Sequence, residues 1–351
     1  MSSAPSRQQF ASDNNAGLCP EALEALIAAN ATGHEPAYGA DRFSADLSAR
    51  MSELFGRECR TFLVFTGSAA NGLAISHLLR PSEAVVCHRN AHIAVDECGS
   101  VEFLSGGARL LTTDEADGRI TLAGLERHLA LIPDMRAQRP RVLSLTNTTE
   151  EGTVYQVDEV SSLAATAKAA GLKVHMDGAR FANAIAATGA TPAQMTWQAG
   201  VDVLSFGGTK NGLSAGEAVV FFDPALAEDF DRHQMHTGHL ASKMRHLTAP
   251  WLALLKDDLW LRNARHANAM AARLAGHLRE IEAVTIMQTV EANALFVEMA
   301  PGLQAALREA GWRFYTLDGK RRCRLMCGFD MTAETIDRFA ADMARLARTA
   351  G

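Results

Sequence analysis

No apolar stretch in this chain approaches the roughly 20 residues a membrane-spanning helix needs. The first ten residues are polar and lack the apolar centre of a secretory signal. Basic residues are not in excess either: 34 lysines and arginines stand against 40 acids, a net charge of −6. That balance leaves no positive footprint for nucleic acid. The six cysteines (Cys19, Cys59, Cys87, Cys98, Cys323, Cys327) form no Cys-x-x-Cys pair. They read as reduced, mostly buried thiols of a cytoplasmic protein. His233, His236 and His239 recur every third residue, which matches no common zinc spacing, so no metal is expected. Internal repeats and low-complexity tracts are missing. What is present is a 351-residue chain, 48% apolar. It is too long for one ordinary core, so a folded protein of two domains is expected.

Strands alternate with helical patterns from about residue 10 to 250, which predicts a parallel sheet covered by helices on both faces. Strands are expected over Thr61–Phe65, Ala84–Cys87, Arg141–Leu145, Leu172–Asp177 and Val201–Phe206. A helix is expected over Glu159–Ala170, closed by Gly171. Pro250 marks a change. Beyond Trp251 an amphipathic stretch runs to about Ile281. Strands near Ala294–Glu298, Arg313–Leu317 and Arg322–Cys327 and a last helix from Ala333 to Arg348 then predict a smaller α+β unit. The expected organisation is a loose arm over 1–9, a large domain over 10–250 and a small domain over 251–351.

Three strand ends carry chemistry-bearing residues. Val203-Leu204-Ser205-Phe206 runs into Gly207-Gly208-Thr209-Lys210. The glycines are expected to let the backbone turn sharply and to leave space beside the amine. A lysine amine at the mouth of an α/β sheet can form a Schiff base when its surroundings lower its pKa. A lone lysine is more often solvated, so its company decides. Asp177 ends another strand, and ligands gather outside the carboxyl ends of strands in open parallel sheets. By itself Asp177 reads as a turn or capping residue. The third end, Thr66-Gly67-Ser68-Ala69, opens a helix whose first N–H groups and dipole suit a phosphate. It is neither a Walker loop nor a dinucleotide fingerprint. Lysine, acid and phosphate seat together are what pyridoxal phosphate (PLP) requires: the amine holds the aldehyde, and the acid keeps the pyridine nitrogen protonated.

In order and spacing these segments resemble the fold-type I PLP enzymes, and most closely the low-specificity L-threonine aldolases of the β-eliminating lyase group. The runs that carry the resemblance are Phe10-Ala11-Ser12-Asp13-Asn14, Ala37-Tyr38-Gly39, Ala91-His92-Ile93 and His175-Met176-Asp177-Gly178-Ala179-Arg180. They continue with Gly207-Gly208-Thr209-Lys210-Asn211-Gly212, Ala241-Ser242-Lys243-Met244-Arg245 and Gly311-Trp312-Arg313-Phe314-Tyr315-Thr316. They span nearly the whole chain.

The resemblance implies a PLP-dependent aldolase that cleaves L-threonine, L-allo-threonine and related L-β-hydroxy-α-amino acids to glycine and an aldehyde. It implies that Lys210 binds the aldehyde of PLP, that Asp177 pairs with its pyridine nitrogen and that His92 stacks on its ring. Gly67, Ser68 and Ala69 would seat its phosphate. Arg180, Arg324 and Ser12 would grip the substrate carboxylate, for which a guanidinium fork is suited. Tyr38, Lys243 and Arg245 would approach the cofactor of a neighbouring subunit in a homodimer or homotetramer with shared sites. Simple interface packing accounts for them equally. One departure stands out. Where many relatives have Glu-Asn-Thr-His after the strand ending at Leu145, this chain has Thr146-Asn147-Thr148-Thr149-Glu150-Glu151-Gly152. The base for the substrate hydroxyl is therefore open among His92, a water and the PLP phosphate. A PLP-dependent β-eliminating lyase or racemase acting on a small amino acid is the alternative activity. A non-catalytic PLP-binding protein is a third reading, which the intact Lys210, Asp177, His92 and Arg180 oppose.

Overall fold

The structure is a computed structural model that describes residues 8–317 and 319–348. Seven strands form the larger sheet: β1 (Arg60–Val64), β2 (Glu83–His88), β3 (Arg109–Thr113), β4 (Arg139–Thr146), β5 (Lys173–Gly178), β6 (Val203–Phe206) and β7 (Glu217–Phe221). Their order is β1-β7-β6-β5-β4-β2-β3. All neighbours are parallel except β7, which runs antiparallel to both β1 and β6. The strands expected from the sequence are present, their ends shifted by one or two residues. β3 and β7 were not expected.

Strand alternation sorts the side chains onto two faces. Leu63, Leu204 and Val220 pack on one side with Leu47, Met51, Phe55, Val160 and Leu163. Val64, Val203, Val219 and Phe221 face the other, against Ala70, Leu73, Ala74 and Phe230. The helices Arg42–Phe55 and Val157–Ala169 thus cover the first face, and Gly67–His77 covers the second. The helix Val157–Ala169 starts two residues earlier than expected because Glu159 reaches back to accept the Gln156 N–H at 2.7 Å.

Four antiparallel strands make the second sheet: β8 (Val284–Ile286), β9 (Ala294–Met299), β10 (Tyr315–Thr316) and β11 (Arg322–Met326), in the order β10-β11-β9-β8. The strand expected over Arg313–Leu317 is only the two residues of β10. Pro250 does not break the chain. It lies buried inside the helix Arg245–Leu255, and the break comes at Lys256–Asp258, where Asp257 and Asp258 turn left-handed. The helix Leu259–Leu278 follows and joins the two cores. Leu259, Trp260 and Ala264 pack in the larger cluster, and Ala271, Leu274 and Leu278 in the smaller.

Residues 1–7 of the expected arm lie outside the described residues, but Gln8 and Gln9 are tethered. The Gln8 side chain accepts from Thr332 N at 3.1 Å, and that of Gln9 from Arg313 N at 2.7 Å. Phe10 stacks on Phe339 at 4.3 Å between ring centres. Residues 8–10 are thereby fixed to the smaller sheet's unit, and the chain leads from there to the larger one.

Candidate active site

A cavity of about 630 Å3 opens at the carboxyl ends of β5 and β6, within the range of small-molecule sites. Lys210, Asp177, His92, Gly67 and Ser68 all line it, together with Asn14, Asn71, Ser205, Thr209 and Glu217. Five residues singled out from the sequence, spread over more than a hundred positions, thus share one wall.

Lys210 sits on the single turn Thr209–Asn211, pinned on both sides. The Asn211 amide donates to Trp260 O at 2.8 Å, and Asn263 donates to Asn211 O at 2.9 Å. The glycines before it work differently from the expectation. Gly207 and Gly208 do not adopt positive φ. They permit close approach: a Cβ on Gly207 would lie 2.2 Å from Ala179 O, and one on Gly208 2.7 Å from the Trp251 ring. The turn is packed, not open. Glu217, fully buried, holds it from below, accepting from the Gly208 N–H and the Thr209 hydroxyl. Burial raises the Glu217 carboxyl above the ordinary range, although these bonds and the charge of Lys210 oppose the rise.

Asp177, the penultimate residue of β5, is 3% exposed. Its Oδ2 accepts from Asn71 Nδ2 at 2.8 Å and its Oδ1 from Ala179 N at 3.0 Å. His92 Nδ1 meets Glu97 Oε1 at 2.8 Å. That bond raises the imidazole pKa, burial opposes it, and the charges of Glu150, Asp177 and Glu97 add to the rise. Beneath the cavity His175 is held between Ser144 Oγ at 2.9 Å and Ser205 Oγ at 3.0 Å. Burial pushes its pKa down to about 4, so it is neutral near pH 7.

At the start of the helix Gly67–His77, Thr66 Oγ1 accepts the Ala69 N–H at 3.2 Å. Ala69 does not line the cavity, and its N–H is taken up by this cap. Of the expected seat, Gly67 and Ser68 remain beside the cavity, and a Cβ on Gly67 would meet nothing within 4 Å.

The expected carboxylate-binding residues do not line this cavity. They gather next to it around one segment. Arg180 is paired with Asp13 through Nε at 2.7 Å and a second bond at 3.0 Å. Arg324 donates to Ala11 O at 3.3 Å and stands over the Tyr315 ring. Ser12 lies between Ala11 and Asp13, with Oγ accepting the N–H of cavity-lining Asn14 at 3.2 Å. Arg324 Nε is buried without a partner, and burial and the nearby charge of Arg180 both lower the Arg324 pKa. Asp13 already neutralises Arg180, so Arg324 Nε is the donor of this group left without a partner.

Tyr38 is elsewhere. It is exposed, at φ 55°, and lines a second cavity with Arg60, Gln234 and Met244. Its N–H donates to Ser242 O at 3.1 Å, which sets it beside Lys243 and Arg245. Sequence reasoning missed Asp13, Asn71, Glu97 and Glu217. Each is a lone polar residue without a spacing signal, although Asp13 lies inside a quoted run. In place of a histidine after β4, Thr149 bonds Thr153 at 2.7 Å.

Residues 9–301 match the beta-eliminating lyase family. The low specificity L-threonine aldolase of Pseudomonas sp. (strain NCIMB 10558) is 47% identical over 336 residues, covering 96% of this chain and 97% of that relative. The Pseudomonas aeruginosa protein of the same name is equally similar, at 47% over 336 residues, with the same coverage of both chains. Among solved structures, the threonine aldolase of Leishmania major superposes with a TM-score of 0.91 at 28% identity, covering 97% of this chain and 99% of that one. The serine palmitoyltransferase of Sphingomonas wittichii, at 15% identity, shares the fold with a TM-score of 0.74, over 98% of this chain and 88% of its own. The chain belongs to the beta-eliminating lyase family, in the branch of the low specificity L-threonine aldolases.

Proposed function

We propose that this lyase cleaves L-threonine, L-allo-threonine and related L-β-hydroxy-α-amino acids such as phenylserine to glycine and an aldehyde, with PLP as cofactor. The observation that carries the reading is the single cavity lined by Lys210, Asp177, His92 and the start of the helix Gly67–His77. The residues fit PLP. A buried carboxylate faces the cavity for the pyridine nitrogen, an amine for the aldehyde, and two helix-start residues for the phosphate. When bound, the cofactor supplies an electron-accepting ring that stabilises negative charge at Cα.

The chain's own residues do the rest. Lys210 Nζ would hold the cofactor aldehyde. Asp177 keeps the proton on the pyridine nitrogen. His92 covers the ring. Arg180 and Arg324, steadied by the Ala11–Asp13 segment, would take the substrate carboxylate and so orient the Cα–Cβ bond for cleavage. Residues 10–250 form the cofactor unit in this reading, and 251–351 bring Arg324. Tyr38, Lys243 and Arg245, which do not line their own chain's cavity, serve the site of a second copy in a homodimer or homotetramer. Five buried thiols suit a reducing compartment, the cytoplasm.

The test is turnover of L-threonine and L-allo-threonine by the purified protein, with PLP present and absent, measured as acetaldehyde and glycine. Pyruvate or ammonia from serine, without acetaldehyde from either threonine isomer, would replace this reading with an eliminating lyase.

A further inference from the structure

His92 is not an isolated ring beside the cavity. Glu97 Oε1 accepts from His92 Nδ1 at 2.8 Å and from Asn71 Nδ2 at 2.9 Å, and Glu97 Oε2 accepts from Ser100 Oγ at 2.8 Å. The same Asn71 nitrogen donates to Asp177 Oδ2 at 2.8 Å. These bonds fix the protons. An ionised carboxylate can only accept, so the Asn71 amide must point its nitrogen at both acids. Its Oδ1 is left buried without a partner, a cost the two charge-assisted bonds offset. By the same logic Nδ1 of His92 must carry a hydrogen, which leaves Nε2 as the nitrogen free to face a ligand.

The charges that raise the His92 pKa are those of Glu97, Glu150 and Asp177, and Lys210 is the cation that lines the same cavity. Glu97 is itself fully buried, so its negative charge is poorly screened by water. Of the helices packed around the pair, Gly67–His77 contributes only the neutral Asn71 amide and Ser100–Leu104 the neutral Ser100 hydroxyl. No cation enters the network from either.

We propose that Glu97 and Asn71 are positioning residues: Glu97 holds His92 as an imidazolium, and Asn71 ties that cation to Asp177. The inference rests on the PLP-aldolase reading and sharpens it. A protonated His92 does not take the proton of the substrate hydroxyl. Its Nε2–H instead donates toward the substrate oxygen, and the hydroxyl proton passes to a water, which carries it to solvent. Catalysis then requires the acid form of His92, and activity falls as pH rises through its midpoint.

The experiment reads His92 directly, in the cofactor-free protein, by NMR titration of isotope-labelled histidine, with His92→Asn assigning the resonance. The expected midpoint lies above the ordinary value of about 6.5. In Glu97→Gln it falls by about one pH unit or more, and Glu97→Asp restores part of the rise. The shift caused by Asp177→Asn shrinks when Asn71→Ala is also present. On the cofactor-loaded enzyme, the alkaline limb of kcat moves down in Glu97→Gln with the NMR midpoint. A wild-type midpoint at or below about 6.5 overturns the proposal, even if Glu97→Gln fails to fold. So does a kcat that rises with pH through the His92 midpoint, the signature of a base. Absence of aldolase turnover alongside a raised midpoint would sink the activity reading and leave the network standing.

Discussion

Replacing Asp13 by alanine should damage this protein in two separable ways. Asp13 and Arg180 form a bidentate pair at 2.7 and 3.0 Å, with side chains 1% and 6% exposed. Asn293 adds a bond to Asp13 at 3.1 Å. Removing the carboxylate leaves a buried guanidinium without its counter-charge, which costs about 3–5 kcal/mol. For a large domain that corresponds to a melting midpoint lower by roughly 6–20 °C. Arg180 also loses the two bonds that aim it, so kcat/KM for an amino-acid substrate should fall about 10- to 100-fold. The double variant Asp13→Leu with Arg180→Met should melt higher than Asp13→Ala, because no unpaired charge remains. The pair also has a pH signature. Burial raises the Asp13 carboxyl, but Arg180, Lys210 and Asn293 together hold it below its ordinary 3.8. A depressed carboxylate stabilises the fold above the unfolded value, and that contribution is lost as pH falls below about 4 toward the folded value. Thermal melts from pH 3 to 7 and steady-state kinetics are the assays. An Asp13→Ala protein that melts within about 2 °C of wild type, with unchanged kcat/KM, would refute the reasoning.

Lys210→Ala should abolish turnover together with the yellow colour of the PLP-loaded protein. Retained colour with normal turnover would remove the lysine from its role. His175, whose pKa burial lowers to about 4, is neutral in the fold but protonated in the unfolded chain below about 6.5. Its contribution is therefore present above that pH and is lost as pH falls toward 4, by about 3 kcal/mol in all. His175→Gln should flatten the pH dependence of urea stability across that window, and an unchanged slope would count against a buried neutral ring. Gly207→Ala drives a Cβ to 2.2 Å from Ala179 O, a backbone atom that cannot rotate away. It should destabilise by about 1–3 kcal/mol and weaken PLP binding by displacing the Lys210 turn; a variant with wild-type urea stability and PLP affinity would show that the approach is not tight.

The sequence by itself determined the alternation of strands and helices, because hydrophobic periodicity is local. It also marked Lys210, Asp177 and the Gly67–Ser68 turn, because each ends or closely follows a strand; His92 was marked only through the family resemblance. The short edge and antiparallel strands β3, β7 and β8 were not legible, since a few residues carry too little pattern to be distinguished from loops. Pro250 looked like a boundary because its missing N–H usually ends a helix, but tertiary packing overrode that cost and moved the break to Asp257–Asp258. Only the tertiary structure decided which polar residues serve the site. Asp13, Asn71, Glu97 and Glu217 act through partners 3 to 280 positions away. Hydrogen bonding depends on distance in space and buried charge on its surroundings, and neither is written in local sequence spacing.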